Sequence, residues 1–321
     1  MKGYRSFAIT VQGVYHIKNG IVCQDASAHY DDEGVSIAVV ADGHGDPTCF
    51  RSDRGAAFAV ECATTGIRQF VKEQEALFRP PSPQSENNKS APPSRSELEK
   101  LLREKLIIQI VTSWNTLVME DHRKYPFRSE EMEKADVNYR KLYESGEAVK
   151  EAYGTTLIAA AITPRYWFGL HVGDGRFSVL YRDGSGGQPV PWDPRCYLNV
   201  TTSLCDDDIL DNKLGVRAFL SMMEEEEPPA AFFLCSDGID DNFPVKENEV
   251  YLYGFYNEIA ATCAENGCAS TFGGDGASGF LKKLVNSFAT RGKGDDTSLA
   301  GIVDIKALRK IAAEWREDTS E

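Results

Sequence analysis

The chain has 321 residues, of which 49 are acidic and 35 basic, so its formal net charge is −14 at pH 7. A negative excess of this size repels phosphate backbones and anionic lipids, which argues against a nucleic acid or membrane partner. No apolar stretch approaches the roughly 18 to 20 residues of a membrane span, and the first ten residues lack the apolar core of a secretory signal. The eight cysteines show no zinc-type spacing, so we expect reduced thiols. We therefore expect one domain over residues 1–321 that is soluble, cytoplasmic and monomeric.

The first third of the chain is predicted to form strands followed by a helix. β-Branched and apolar residues predict strands over 6–14 and 35–42, with a turn before the second strand. The apolar period then changes, and it predicts a helix over 52–72. Five prolines among polar residues at 79–95 predict an exposed excursion that builds no core.

The rest of the chain alternates between helical and strand patterns. A capping serine at Ser96 and an apolar stripe from Leu98 to Trp114 predict a long helix, and a more polar helix is expected over 129–149. These elements indicate a mixed α and β protein with much antiparallel sheet. The further predicted elements are strands over 155–163, 166–173 and 176–184, taken as an antiparallel meander, strands over 230–241 and 297–305, and helices over 247–265, 276–290 and 306–316.

Aspartates recur at the ends of the predicted strands. Asp42, Asp174, Asp237 and Asp295 each stand at the edge of an apolar run, and Asp25 has a similar place near the first strand pair. If these strands are neighbours, the carboxylates converge, and each raises the pKa of the next unless a cation neutralises them. Oxygen ligands of this kind suit magnesium or manganese, whereas zinc prefers nitrogen and sulfur. The alternative is that the Asp-Gly pairs are ordinary turns.

Six short motifs, taken in order, carry a family resemblance. They are QDA at 24–26, ADGHG at 41–45, GTT at 154–156, VGDGR at 172–176, CSDGIDD at 235–241 and GDDTS at 294–298. Together they resemble the metal-dependent serine/threonine protein phosphatases of the 2C type, including the bacterial ones, over about residues 6–304. The resemblance implies an α+β fold, a four-layer α/β/β/α sandwich whose two central antiparallel sheets are flanked by pairs of helices.

The resemblance also implies two tightly bound manganese or magnesium ions and a third, weaker one. Asp42 would bridge the two tight ions, and the Gly43 carbonyl would join their coordination shell. The other expected site residues are Asp25 with Gln24, partly through water, Asp237 and Asp295, and, for the third ion, Asp174 with Asp237, supported by Asp240 or Asp241.

The chemistry implied by such a site is hydrolysis of phosphoserine and phosphothreonine in proteins that a serine/threonine kinase has modified. Two metal ions would activate a water for in-line attack, without a covalent intermediate. His44 is expected to donate a proton to the departing alkoxide. Thr155 and Thr156 are expected to pack within the sheet rather than to act in catalysis.

The chain departs from the family pattern where the substrate phosphate would bind. Gly20 stands where most relatives have a phosphate-binding arginine, Gln24 stands where many have glutamate, and Asp296 stands where asparagine is common. Lys18, His16 and Arg5 are the candidate replacements for the arginine, and the sequence does not choose among them.

Two other functions stay open at this point. A catalytically silent relative would bind a partner or a phosphoprotein, and a small-molecule enzyme would hydrolyse a simpler phosphoester. Silent relatives tend to lose metal-binding aspartates. The presence of Asp42, Asp237 and Asp295 therefore favours an enzyme.

Overall fold

The computed structural model describes residues 3–78, 92–197, 200–211, 215–244, 248–266 and 278–318. The strands of these ranges are β1 (Tyr4–Val11), β2 (Ala26–Asp31), β3 (Ser36–Ala41), β4 (Leu157–Ile162), β5 (Tyr166–Val172), β6 (Arg176–Leu180), β7 (Gly186–Gly187), β8 (Arg217–Met222), β9 (Ala231–Cys235) and β10 (Thr297–Asp304). The helices are α1 (Val14–Asn19), α2 (Ser52–Phe78), α3 (Arg95–Leu101), α4 (Ile108–Lys124), α5 (Ser129–Met132), α6 (Val137–Ser145), α7 (Asp237–Asp240), α8 (Asn248–Asn266), α9 (Ser278–Ala289) and α10 (Ile305–Asp318).

The strands form two five-stranded sheets in which all the pairings are antiparallel. The first sheet has the order β1-β10-β9-β6-β7, and the second has the order β2-β3-β4-β5-β8. The predicted α+β class and the two antiparallel sheets are confirmed.

The two sheets face each other, and their outer faces are covered by helices. Every residue of β4 is buried, because alternate side chains point to two different apolar layers. Ile158, Ala160 and Ile162 pack between the sheets. Leu157 and Ala159 pack towards α2, α3 and α4. On the first sheet, α8, α9 and α10 cover the outer face, so the four layers follow the predicted α/β/β/α order.

The long helix α2 begins close to the end of β3 and packs tightly at its first turn. A side chain on Gly55 would collide with the carbonyl oxygen of Tyr153. The Gly55 carbonyl accepts a hydrogen bond from Trp114 Nε1 at 2.9 Å. This close approach fixes the start of α2 against α4 and against the segment that precedes β4.

Several predicted elements differ from the structure near the N-terminus and around the Pro-rich excursion. The strand predicted over 6–14 ends at Val11, and α1 follows it, bounded by Gly20 in the left-handed conformation (φ 66°). The capping serine is Ser94 rather than Ser96, because the Ser94 side chain accepts from the Glu97 backbone while the Glu97 side chain accepts from the Ser94 backbone. Most of the excursion predicted over 79–95 lies outside the described residues.

The predicted long helix and the predicted meander also need correction. A π-helical turn (Leu102–Ile107) joins α3 to α4, and two short helices, α5 and α6, replace the polar helix expected over 129–149. The third predicted meander strand, β6, crosses to the other sheet and pairs with β9, while β8 takes its place beside β5. Strand periodicity predicts which residues form a strand but not which sheet that strand joins.

Two further expectations can be compared with the described part of the chain. Its cysteines are free thiols, with Cys268 outside the described residues. Of the helices in these ranges, none combines the length and the apolar character that crossing a membrane would need.

Candidate functional site

The second sheet brings two of the predicted aspartates to one end of a strand pair. Ala26 of β2 pairs with Ala41 of β3, so Asp25 and Asp42 flank the last paired residues of adjacent strands. The first sheet does the same for the others. Cys235 of β9 pairs with both Arg176 of β6 and Leu299 of β10. The three neighbouring segments therefore carry Asp174, Asp237 and Asp295 at one common end of this sheet.

The carboxyl groups from the two sheets interact with one another. Burial raises the pKa of Asp42 well above its usual value, and the charges of Asp237, Asp25 and Asp174 raise it further. Burial likewise raises the pKa of Asp237 to about 7, and Asp174 and Asp295 add to this effect. The side chains of Asp42 and Asp237 lie within hydrogen-bonding distance of each other. The predicted convergence of these five carboxylates is therefore present as an electrostatic cluster.

Asp25 is the most deeply buried member of this carboxylate cluster. Only 8% of its surface is exposed, and Ser236 Oγ donates a hydrogen bond to Asp25 Oδ2 at 2.8 Å. Burial raises its pKa to about 8; the Ser236 hydrogen bond opposes this shift, and the charges of Asp296 and Asp237 add to it. The Ser236 contact ties the end of β9 to the start of β2, across the two sheets.

Asp42 is held at both backbone groups by two neighbouring threonines. Its N–H donates to Thr156 Oγ1 at 3.0 Å, and its carbonyl accepts from the Thr156 N–H at 2.8 Å and from Thr155 Oγ1 at 2.9 Å. Both threonines are buried, and their contacts with Asp42 are all to its backbone. A side chain on Gly43 would collide with the backbone of Gln24 and Ser52. The loop after β3 therefore needs glycine at this position.

Asp174 occupies a separate loop that crosses between the sheets. Gly173 has a positive φ of 101°, which favours glycine, and its N–H donates to Thr202 Oγ1 at 2.9 Å. Burial raises the pKa of Asp174, a Thr201 hydrogen bond lowers it, and the charges of Asp241 and Asp240 raise it. Asp174 thus interacts with the 240–241 pair, as Asp237 does with Asp241.

The two candidate supports of Asp174 have different partners. Asp240 is engaged by Arg176, with Nη2 at 2.9 Å from Asp240 Oδ2 and Nε at 3.0 Å from Oδ1. Asp241 accepts from Lys293 Nζ at 2.7 Å, and both side chains are exposed to solvent. Asp240 is therefore held by a partly buried arginine, whereas Asp241 and its lysine partner lie at the surface.

His44 lies in the loop between β3 and α2. Its N–H donates to the Gly154 carbonyl at 3.1 Å, and its ring packs against Gly154, where a side chain would collide with it. Burial lowers the pKa of the imidazole to about 4, and the charge of Asp46 acts in the opposite direction. His44 is consequently neutral at pH 7 in the absence of a bound anion.

The three cations considered for the substrate phosphate are differently placed. Arg5 pairs with Val303, six positions from the Val11 end of β1, which puts it about 20 Å from the carboxylates at ~3.3 Å per residue. Arg5 is therefore a wrong candidate. His16 is buried, and both of its ring nitrogens face carboxylates, as described below. Lys18 is exposed on α1.

Sequence reasoning missed Lys293, the exposed lysine next to the carboxylate cluster. Besides the Asp241 contact, the charges of Asp237 and Asp295 also raise the pKa of Lys293. Its side chain is 75% exposed, so it can exchange Asp241 for an incoming anion. The GKGDD sequence at 292–296 contains a signal, a lysine two residues before an expected ligand, but spacing alone does not show where the side chain points.

The donor set of the carboxylate cluster consists of oxygen atoms, which is the chemistry of magnesium and manganese sites. Within the described ranges, no group of three or more histidine, cysteine, aspartate or glutamate side chains is arranged so that it could hold a metal ion. Magnesium is commonly bound by one or two carboxylates while it keeps several waters. Burial is the main cause of the raised pKa values of Asp25, Asp42 and Asp237, and the repulsion between them adds to it. A divalent cation would remove that repulsion, so the chemistry of these residues fits such an ion.

Comparisons with known proteins show the family of the chain and the similarity of its fold to solved structures. A family model described as Protein phosphatase 2C matches residues 12–272. The fold is similar to the crystal structure of a bacterial serine phosphatase, with 12% identity and a TM-score of 0.50, covering 94% of this chain and 97% of that chain. It is also similar to the serine/threonine phosphatase PstP/Ppp of Mycobacterium tuberculosis, with 13% identity, a TM-score of 0.48 and coverage of 94% and 98%. A search of curated proteins found no match.

Proposed function

The chain belongs to the protein phosphatase 2C family of serine/threonine phosphatases, and we propose that it hydrolyses phosphoserine and phosphothreonine in proteins with the aid of divalent cations. The observation that carries this proposal is the convergence of Asp25, Asp42 and Asp237 from two sheets, with raised pKa values that a cation would relieve. The family resemblance supplies the reaction, and the carboxylate cluster supplies a site for it.

The residues that would hold two tight ions are Asp42, the Gly43 carbonyl, Asp25, Asp237 and Asp295. When bound, such ions supply a Lewis acid for the phosphoryl oxygens and an activated water for attack. The chain contributes the rigidity of the site. Thr155 and Thr156 fix the Asp42 backbone, and Ser236 fixes Asp25. A third, weaker ion would take Asp174 with Asp237, and Asp241 is the support that we assign to it.

His44 is the residue that we assign to the leaving group. A departing serine or threonine alkoxide is a poor leaving group, and a positioned proton donor makes its release easier. The imidazole has a pKa of about 4 because it is buried, so it needs a nearby negative charge to hold a proton at pH 7. The phosphate dianion of the substrate would supply that charge. On this proposal, His44 becomes an acid only when substrate is bound.

Lys293 is the residue that we assign to the substrate phosphate, in place of the arginine that Gly20 replaces. Its ammonium group lies beside the carboxylate cluster, 2.7 Å from Asp241, and is exposed to solvent. A lysine is a point charge, whereas arginine binds phosphate through a bidentate fork. The expected result is a weaker and less directional grip on the phosphate.

Hydrolysis of a phosphothreonine peptide tests the proposal directly. Turnover should require manganese or magnesium and should stop in excess chelator. A phosphatase for small phosphoesters would hydrolyse para-nitrophenyl phosphate but not the peptide. A silent relative would bind the phosphopeptide without turning it over at any metal concentration, and either result would contradict the proposal.

A further inference from the structure

His16 is a buried histidine that lies between two adjacent carboxylates. It is 7% exposed, with Nδ1 at 2.8 Å from Asp296 Oδ2 and Nε2 at 3.5 Å from Asp295 Oδ1. The two carboxylates differ in environment. The side chain of Asp296 is 2% exposed, whereas that of Asp295 is 48% exposed. The imidazole thus lies between a fixed interior group and a group at the solvent side of the cluster, in contact with both but without a hydrogen bond from Nδ1.

Asp296 is anchored by the backbone on both sides of α1. Its Oδ1 accepts from the Gly13 N–H at 2.7 Å, and its Oδ2 accepts from the Gln24 N–H at 2.6 Å. A buried carboxylate is stable only when such partners replace its lost water. With two backbone donors and His16 around it, Asp296 has little freedom to move.

The α1 helix is held against the 294–296 segment by direct backbone contacts. The Tyr15 N–H donates to the Gly294 carbonyl at 2.9 Å. A side chain on Gly13 would collide with Gly294 and Asp295. Gly294 itself has a positive φ of 70°. These contacts fix the distance between the His16 ring and the Asp295 side chain.

We propose that His16 is a positioning residue that orients the Asp295 carboxylate towards a divalent cation, with Asp296 as its anchor. The inference rests on the proposed function, since it assigns a role within the same metal site. Asp295 Oδ1 also accepts from the Asp296 N–H at 2.8 Å. Both contacts fall on Oδ1, so they would hold the carboxylate in one orientation. Groups that orient a metal ligand in this way typically contribute roughly 10- to 100-fold in metal affinity.

A double-substitution cycle with calorimetric titration of manganese tests this role. His16→Ala should weaken manganese binding roughly 10- to 100-fold, while turnover at saturating manganese falls much less. Asp296→Asn should weaken binding as well. In the Asp296→Asn background, His16→Ala should add little further loss, because the anchor through which His16 acts is already gone.

A matched control is His29→Ala, which removes an exposed histidine on β2 that contacts Ser6 rather than the carboxylates. It should leave manganese affinity unchanged. Urea unfolding in excess chelator separates a loss of metal affinity from a loss of stability. If His16→Ala does not fold, the manganese affinity of Asp296→Asn tests the inference instead, because this substitution keeps the volume of the side chain.

Three results would overturn the inference. One is equal manganese affinity in the wild type and His16→Ala, whatever the change in urea midpoint. Another is a His16→Ala loss that is as large in the Asp296→Asn background as alone, because that result identifies His16 as a direct ligand. The third is a wild-type protein that binds no manganese, which refutes the proposed function together with this inference and is distinguishable from the other two.

Discussion

Replacing the buried carboxyl group of Asp25 by an amide should stabilise the metal-free protein. Burial raises the pKa of Asp25 from 3.8 to about 8, opposed by its bond with Ser236 and increased by the charges of Asp296 and Asp237. In the unfolded chain the group loses its proton near pH 4, whereas in the folded protein it keeps the proton until about pH 8. The folded state therefore binds more protons across this window, and its stability falls as the pH rises from about 4 to about 8.

The size of the effect follows from the pKa shift of Asp25. One pKa unit corresponds to about 1.4 kcal/mol, so the shift from 3.8 to about 8 amounts to a loss on the order of 5 kcal/mol at pH 8. Asp25→Asn keeps an oxygen that can accept from Ser236 Oγ, now at 2.8 Å, but it carries no charge. In excess chelator at pH 8, its urea midpoint should exceed that of the wild type, and the difference should shrink towards pH 4.

In the presence of manganese, the wild type should be more stable than Asp25→Asn, which is the reverse of their order in chelator. The wild type gains stability from ion binding, and the Asp25→Asn variant, which lacks a ligand, gains less. The matched control is Asp32→Asn. At Asp32, burial acts to raise the pKa, but hydrogen bonds from Gly34, Tyr30 and Val35 lower it overall. This control should lose stability at pH 8 with or without manganese. A urea midpoint for Asp25→Asn at or below that of the wild type, in chelator at pH 8, would refute the reasoning.

Other substitutions test separate parts of the site. His44→Ala should lower kcat on a phosphothreonine peptide by roughly 10² to 10⁴ and lower it less on para-nitrophenyl phosphate, whose leaving group needs no proton; equal losses would instead assign His44 to the metals or the fold. In calorimetry with manganese, Asp42→Asn should lose metal binding and turnover together, whereas Asp174→Asn should keep the tight ions while turnover falls. Retention of two ions and near-normal rates by Asp42→Asn would contradict the site. Lys293→Met should raise the KM for the phosphopeptide roughly tenfold while the two tight manganese ions stay bound, and Lys18→Met, the control, should leave the KM unchanged.

Much of the fold could be predicted from the sequence because periodicity reports local burial. The continuous, mostly apolar runs of β3, β4 and β10 matched their burial on both faces, and the long apolar stripe of α2 matched its packing. Sheet membership could not be predicted in the same way. The loop after β5 carries the chain to the other sheet, and the strand periodicity of β6 is the same whichever strand lies beside it.

The candidate site shows the same division between local and distant information. The aspartates could be singled out because they recur at the edges of several apolar runs, and the order of the motifs related them to a family. The groups that contact these aspartates in the fold could not be predicted from the sequence. The contact between Gly13 and Asp296 spans 283 positions, and the Lys293–Asp241 contact spans 52. Such pairs follow from the register of β1 with β10 and from loop conformation. Neither can be predicted from the spacing of residues in the sequence.

The division of the carboxylates between two sheets has a mechanical consequence. Asp25 and Asp42 belong to the second sheet, Asp237 and Asp295 to the first, and Asp174 to the loop that crosses between them. Apolar side chains hold the middle of the sandwich together, but at this end the two sheets present acidic groups that repel one another when they are ionised. The Ser236 hydrogen bond to Asp25 offsets only part of that repulsion. On the proposed function, a cation that bound carboxylates from both sheets would therefore do more than activate a reaction, because it would also join the two sheets at this end.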